Sequence, residues 1–190
     1  MRYLEVRRHS LTKKGQARGR GSHLSAGGVA LARAVGAEVG PVAYVLTSTM
    51  ARTIETAVAM GYAVDDAVDV PSGYVPGEVG HHDQWTWPQP YVAYAERLAP
   101  GSGLHAVATT VRDLWLRALD QVPDGATALV ISSGGTIEPT LVRCLPDADH
   151  ATWGTAFSHC DGARLTHHAG AFTAIDFRQA PAAGADRQNS

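Results

Sequence analysis

Three short segments of this 190-residue chain hold side chains suited to chemistry on an anion: Arg8-His9, then Ser48 with Arg52, then Ser132-Ser133-Gly134-Gly135. Two guanidinium groups can grip a dianionic phosphate through paired, charge-assisted hydrogen bonds. A helix that begins with serine and glycine adds backbone N–H groups and a favourable dipole. A neutral imidazole beside such a phosphate can attack phosphorus and form a phosphohistidine. Positive surroundings keep that imidazole unprotonated and therefore nucleophilic. This chemistry works only if the three segments meet, so the elements between them have to bring them together.

Tyr3-Leu4-Glu5-Val6 reads as an opening strand, and the Gly-, Ser-, Lys- and Arg-rich stretch 10–23 as a loop. Ser25 can cap a helix in which Val29, Ala32 and Val35 recur at helical spacing as far as Gly36. A second strand follows at Ala43–Leu46. Thr47-Ser48-Thr49 offers capping hydroxyls to a second helix with Ile54, Ala57 and Val58 inward and Gly61 at its end. Residues 70–90, with four prolines and little periodicity, read as an irregular insertion. Leu104, Val107, Val111, Leu114 and Ala118 mark a long amphipathic helix. Ala128–Ile131 suits a central parallel strand, and Ile137, Leu141 and Val142 the helix after it, where Pro139 fits only near the first turn. Closing strands are expected at 163–167 and 172–177. Strand–loop–helix units repeated in this way predict an α/β fold: a three-layer αβα sandwich with a mostly parallel central sheet and helices on both faces. Such sheets bind ligands at the carboxyl ends of their strands, which places Arg7–Ser10, Thr47–Arg52 and Ser132–Gly135 at one edge. The domain is expected to span 1–178, followed by a small, polar, disordered tail over 179–190.

The same segments carry a family resemblance. Leu4-Glu5-Val6-Arg7-Arg8-His9-Ser10 resembles the opening strand and Arg-His-Gly signature of the histidine phosphatase superfamily, which includes the phosphoglycerate mutases. Leu24-Ser25-Ala26-Gly27-Gly28 is similar to its Leu-Thr/Ser-x-x-Gly helix start. Thr47 to Ala57 resembles its Ser-Ser-x-x-x-Arg-x-x-x-Thr-Ala segment, and Val130 to Gly135 its Val-Ser-His-Gly-Gly segment. The matches occur in the family's order and cover residues 3 to about 177. The resemblance implies that His9 is the nucleophile and that Arg8 and Arg52, with Ser133 and Gly134, bind the phosphoryl group. It also implies a carboxylic acid that protonates the leaving group, from the region after the second helix. Glu78, the only glutamate between Glu55 and Glu96, is the candidate and Asp83 the reserve, although a solvated loop carboxylate is an equal reading of Glu78.

Two positions depart from the family pattern. Ser10 stands where the family has glycine, which is tolerable if the backbone avoids positive φ. Ser133 stands where the family has its second histidine, a donor to the transferred phosphoryl group. Losing such a donor costs on the order of a hundred- to thousandfold in rate. His81 and His82, beside Glu78, are the candidates to replace it, against two loop histidines with no role. The expected function is therefore a phosphatase acting on a small phosphomonoester or a phosphoprotein through phospho-His9. The alternative is a catalytically impaired or non-catalytic phospholigand-binding, regulatory protein on the same fold. The other histidines, His159 included, have no motif context and read as surface or structural residues.

Composition supports an ordinary globular chain: hydrophobic content is 45%, charged content 18% and net charge −2, so no global field calls for nucleic acid or membrane. Seven of the sixteen Lys and Arg residues nevertheless fall in the first twenty positions. Lys13, Lys14, Arg18 and Arg20 read as an electropositive substrate rim; a nucleic-acid arm ranks lower because no aromatic residue accompanies them. Trp85, Trp87, Tyr91 and Tyr94 either wall the pocket or pack an irregular loop. Cys144 and Cys160 match no metal or disulfide pattern and read as small buried residues. No metal or cofactor is expected, since the arginines supply the charge. Met1-Arg2-Tyr3 leads straight into a strand, so a cytoplasmic location is expected.

Overall fold

Alternate residues of the central strands enter two separate apolar clusters, as a sheet covered on both faces requires. In the computed structural model, which describes residues 1–14 and 22–181, β1 (Arg2–Arg8), β2 (Tyr44–Ser48), β3 (Asp66–Val68), β4 (Thr127–Ser132), β5 (Gly162–His168) and β6 (Ala171–Arg178) form one sheet in the order β3-β2-β4-β1-β5-β6. The first four strands are parallel, and β5 and β6 continue antiparallel. Leu4, Val6, Leu46, Ala128, Val130 and Leu165 face α3 (Pro90–Arg97), α4 (Gly103–Asp120) and α5 (Gly134–Cys144). Val45, Leu129 and Ile131 face α1 (Ala26–Val39) and α2 (Ala51–Ala59). The sheet is thus mixed, with its parallel half carrying the site.

Several local expectations need correction. Helix α1 starts as expected, with Ser25 accepting from the Gly28 amide at 3.0 Å, but continues past Gly36 to Val39. Gly36 marks a close approach: a Cβ there would sit 2.1 Å from the Met60 carbonyl oxygen. Helix α2 is capped at Met50 with no side-chain bond, because Thr47 and Ser48 still belong to β2. Its inner face is Thr53, Thr56 and Ala57, whereas Ile54 is half-buried and Val58 is 60% exposed. Pro139 lies in the second turn of α5, where it forgoes one helix hydrogen bond. The 70–90 segment is irregular apart from a 3-10 turn at Asp83–Trp85, but Pro90 opens α3 at its first position, a helix that a proline-rich reading hides. Cys144 and Cys160 are free and buried.

The strand order sets up the site. β4 lies between β1 and β2, and Arg8 pairs with Ser132 while Thr47 pairs with Ile131, so the three carboxyl ends finish level. The chain leaves β1 towards α1 on one face and β4 towards α5 on the other. Divergent exits of this kind open a crevice between adjacent strand ends.

Candidate active site

At that crevice lies a cavity of about 420 Å³ lined by Arg8, His9, Arg52, Ser133, Gly134 and His159, with Tyr74, His81, His82, Gln84 and Trp85 on its wall. The Arg8 side chain is 6% exposed. Its Nη1 donates to the Phe157 carbonyl at 2.6 Å, its Nη2 lies 3.4 Å from His159 Nε2, and its guanidinium sits 4.7 Å from the Trp85 ring centroid. Arg52, in the first turn of α2, donates from Nη2 to Ser133 Oγ at 3.4 Å. Burial lowers the pKa of both arginines from their ordinary value without making either a proton donor of use. Glu138, fully buried one turn into α5, provides the largest opposing charge for Arg8. Its carboxylate accepts from the Phe157 amide at 2.7 Å and the Tyr94 hydroxyl at 3.3 Å, and burial raises it to about 7.

His9 is oriented by its own neighbour. Its Nδ1 lies 2.8 Å from the Ser10 carbonyl oxygen, which can only accept, so the proton rests on Nδ1 and the lone pair on Nε2. Burial first, then the charges of Arg8 and Arg52, lower its pKa to about 3. The cationic setting expected from sequence is therefore present, although desolvation contributes more to keeping the ring neutral. Ser10 fits without positive φ and is fully buried: its hydroxyl donates to the Gly28 carbonyl at 2.7 Å and its amide to Thr56 Oγ1 at 2.9 Å. Those bonds fasten the loop that carries His9 to α1 and α2. Ser48 and Thr53 pair their hydroxyls at 2.8 Å and hold the start of α2 beneath Arg52.

Helix α5 begins at the cavity, where its first two residues, Gly134 and Gly135, are part of the lining, so the positive end of the helix dipole borders the hollow. Gly135 is required there for contact: a Cβ would lie 2.8 Å from the Tyr74 ring. Tyr74 also accepts from Gln84 Nε2 at 3.2 Å, and Tyr74, His81, His82 and Trp85 form a run of contacting rings along the outer wall.

The structure gathers most of the residues expected from sequence, but not all. Arg8, His9, Arg52, Ser133, Gly134, His81 and His82 line one cavity. Glu78 does not: its Oε1 and Oε2 accept from the Gly103 and Leu104 amides at 2.7 and 2.8 Å, so the carboxylate caps α4. Asp83 is likewise occupied, accepting from the Gly80 amide at 2.7 Å. Among the described residues, no carboxylate lines the cavity. Of the four aromatic candidates only Trp85 reaches it; Tyr91 and Tyr94 are fully buried core residues, and Trp87 packs against Tyr94. Lys13 and Lys14 are exposed, just past Thr12 on the cavity wall, while Arg18 and Arg20 lie outside the described residues. Sequence reading missed His159. Its signal was topological: β5 runs antiparallel to β1, so the residues leading into β5 arrive beside His9. Among the described residues, no group of three or more His, Cys, Asp or Glu is placed to hold a metal, and no helix is long and apolar enough to cross a membrane.

No protein-family model and no curated protein matches the sequence. Solved structures do match in shape. A phosphoserine phosphatase from Entamoeba histolytica, crystallised with 3-phosphoglyceric acid, superposes with a TM-score of 0.67 at 16% identity, covering 94% of this chain and 98% of its own. A mycobacterial glucosyl-3-phosphoglycerate phosphatase, in complex with VO3, gives 0.64 at 20% identity, covering 95% and 100%. The protein histidine phosphatase SixA, complexed with tungstate, gives 0.56 at 16% identity, covering 94% and 96%. The chain has the histidine phosphatase fold over nearly its whole length, as its motifs implied.

Proposed function

We propose that this chain, built on the histidine phosphatase fold, is a phosphoric monoester hydrolase that acts on a small phosphorylated molecule or a phosphoprotein through a phosphohistidine on His9. One observation carries the reading: the unprotonated Nε2 of His9 opens into a hollow bordered by two guanidiniums and the N-terminus of α5. Arg8, Arg52 and the start of α5 suit an anion such as a phosphoryl dianion, while Met50, Val70, Tyr74 and Trp85 on the wall suit an apolar part of the molecule that carries it. The three neighbours described above are phosphatases by name, which supports the reading.

In this reading Arg8 and Arg52 seat the dianion with phosphorus facing Nε2. Nε2 donates its lone pair to phosphorus as the ester P–O bond breaks, and the electron pair leaves on the ester oxygen. That oxygen needs a proton. With Glu78 committed to α4, His81 and His82 on the outer wall are the candidates to donate it. Water then attacks the phosphohistidine and loses one proton, and the P–N bond breaks to return neutral His9 and inorganic phosphate. The arginines and amides stabilise the charge in both steps, so no metal is required. Lys13 and Lys14 form an electropositive rim outside the entrance.

Replacing the nucleophile tests the proposal. His9→Ala should lower hydrolysis of an aryl phosphate by at least about a thousandfold while inorganic phosphate still binds. Wild-type rates in that variant would rule out the phosphohistidine route.

A further inference from the structure

The loop ahead of β5 delivers a second imidazole to the hollow. The ring centroids of His159 and His9 lie 5.8 Å apart at an interplanar angle of 66°, edge to face. His159 Nε2 is 3.4 Å from Arg8 Nη2. A guanidinium can only donate, so Nε2 accepts and the ring is neutral with its proton on Nδ1. Across the hollow, Ser133 Oγ accepts from Arg52 Nη2 at the same 3.4 Å. Besides its other contacts, such as the Phe157 carbonyl that anchors Arg8, each guanidinium thus touches a neutral acceptor at the long limit of hydrogen bonding, a partner that an anion can displace. The two acceptors differ in one respect. A displaced serine stays neutral, but a displaced imidazole can take a proton and become a cationic donor.

We propose that His159 is a catalytic residue, taking up a proton from solvent when a phosphoryl dianion enters the hollow and donating from Nε2 to one of its oxygens. The inference rests on the phosphoryl-transfer reading above. The proton returns to solvent when phosphate leaves, so the cycle balances. Arg8 and His9 face the ring from the end of β1, and Arg8 opposes protonation. Asp161, from the ring's own loop, favours it. Behind the ring lies a second cavity of about 280 Å³ in which Asp161 is the sole charged side chain among the described lining residues, the rest including Leu11, Leu31 and Gln179. Burial and then Arg8 lower His159 to about 4. An adjoining dianion reverses that balance by placing two negative charges beside Nε2.

Sulfate is the probe, because it stays a dianion across the pH range used. Calorimetry at pH 7 in buffers of different ionisation enthalpy measures protons taken up on binding. The full-length wild type and His9→Gln should both bind sulfate with uptake of up to about one proton. His159→Gln and His159→Asn should lose that uptake, bind sulfate about tenfold more weakly, and lose about a hundredfold in kcat on an aryl phosphate. Uptake that survives both His159 variants, sulfate binding by the wild type without uptake, or an unchanged kcat would overturn the assignment and leave the phosphoryl site standing. No sulfate binding by the wild type would overturn both.

Discussion

His9 is held neutral at a cost that appears as pH-dependent stability. Its ordinary value is 6.5, and burial with the nearby cations brings it to about 3 in the folded chain. Between those limits the unfolded chain binds a proton that the folded chain refuses, so stability falls as pH drops below about 6.5. At pH 5 the loss amounts to up to about 2 kcal/mol for this residue. His9→Gln removes the contribution, so urea unfolding should show the variant gaining up to about 2 kcal/mol on the wild type between pH 7.5 and pH 5. A constant difference across that range would mean that the ring is solvated and protonates normally. In the proposed reaction the same setting would serve catalysis, because a base that stays unprotonated to about pH 3 is available as a nucleophile at any physiological pH.

Among the elements, α4 explains what holds Glu78 away from the cavity. Its first amides are satisfied by remote and local groups together: Glu78 accepts from Gly103 and Leu104, and Ser102 Oγ accepts from His105 at 3.1 Å. Glu78 therefore pins the irregular 70–90 segment, whose Tyr74, His81, His82 and Trp85 wall the site, onto the helix. Glu78→Ala should destabilise the protein by about 1–2 kcal/mol and leave kcat within about twofold. A loss of kcat of several hundredfold with unchanged thermal stability would return Glu78 to an acid role. The strands other than the short edge strand β3, together with α1, α2, α4 and α5, were legible in the sequence because periodicity and Ser25, Gly61 and Gly134-Gly135 punctuate them, and the level strand ends then gather Arg8, His9, Arg52 and Ser133. What stayed hidden depends on tertiary contact. Glu78 looks like any loop carboxylate until the start of α4 is placed beside it. His159 has no motif, and only the antiparallel pairing of β5 with β1 brings it to His9. Helix α3 was masked by Pro88 and Pro90, although Pro90 starts it and Tyr91 and Tyr94 are its buried face.

For the molecule as a whole, charge is arranged rather than abundant. The net charge is −2, yet seven of the sixteen basic residues lie in the first twenty positions, and the cavity they precede has no described carboxylate on its wall. Of these, Arg2 pairs with Asp120 and Arg7 with Glu5, but the exposed Lys13 and Lys14 next to Thr12 on the cavity wall add positive potential that would attract dianions and that salt would screen. The double variant Lys13→Glu/Lys14→Glu should lower kcat/KM for a phosphomonoester by about three- to tenfold at low ionic strength, with kcat unchanged and the difference fading near 0.5 M salt, roughly. Stopped-flow or initial-rate measurements across a salt series decide it; a deficit independent of salt would assign the lysines a structural role instead.

Vanadate adopts the five-coordinate geometry of phosphoryl transfer, so a crystal of the full chain soaked with orthovanadate addresses the convergence on which everything rests. The expected map shows vanadium bonded to His9 Nε2, with its oxygens accepting from Arg8, Arg52 and the Gly134 amide. Vanadate bound elsewhere on the surface, or seated in the hollow with His9 Nε2 turned away from it, would contradict the account.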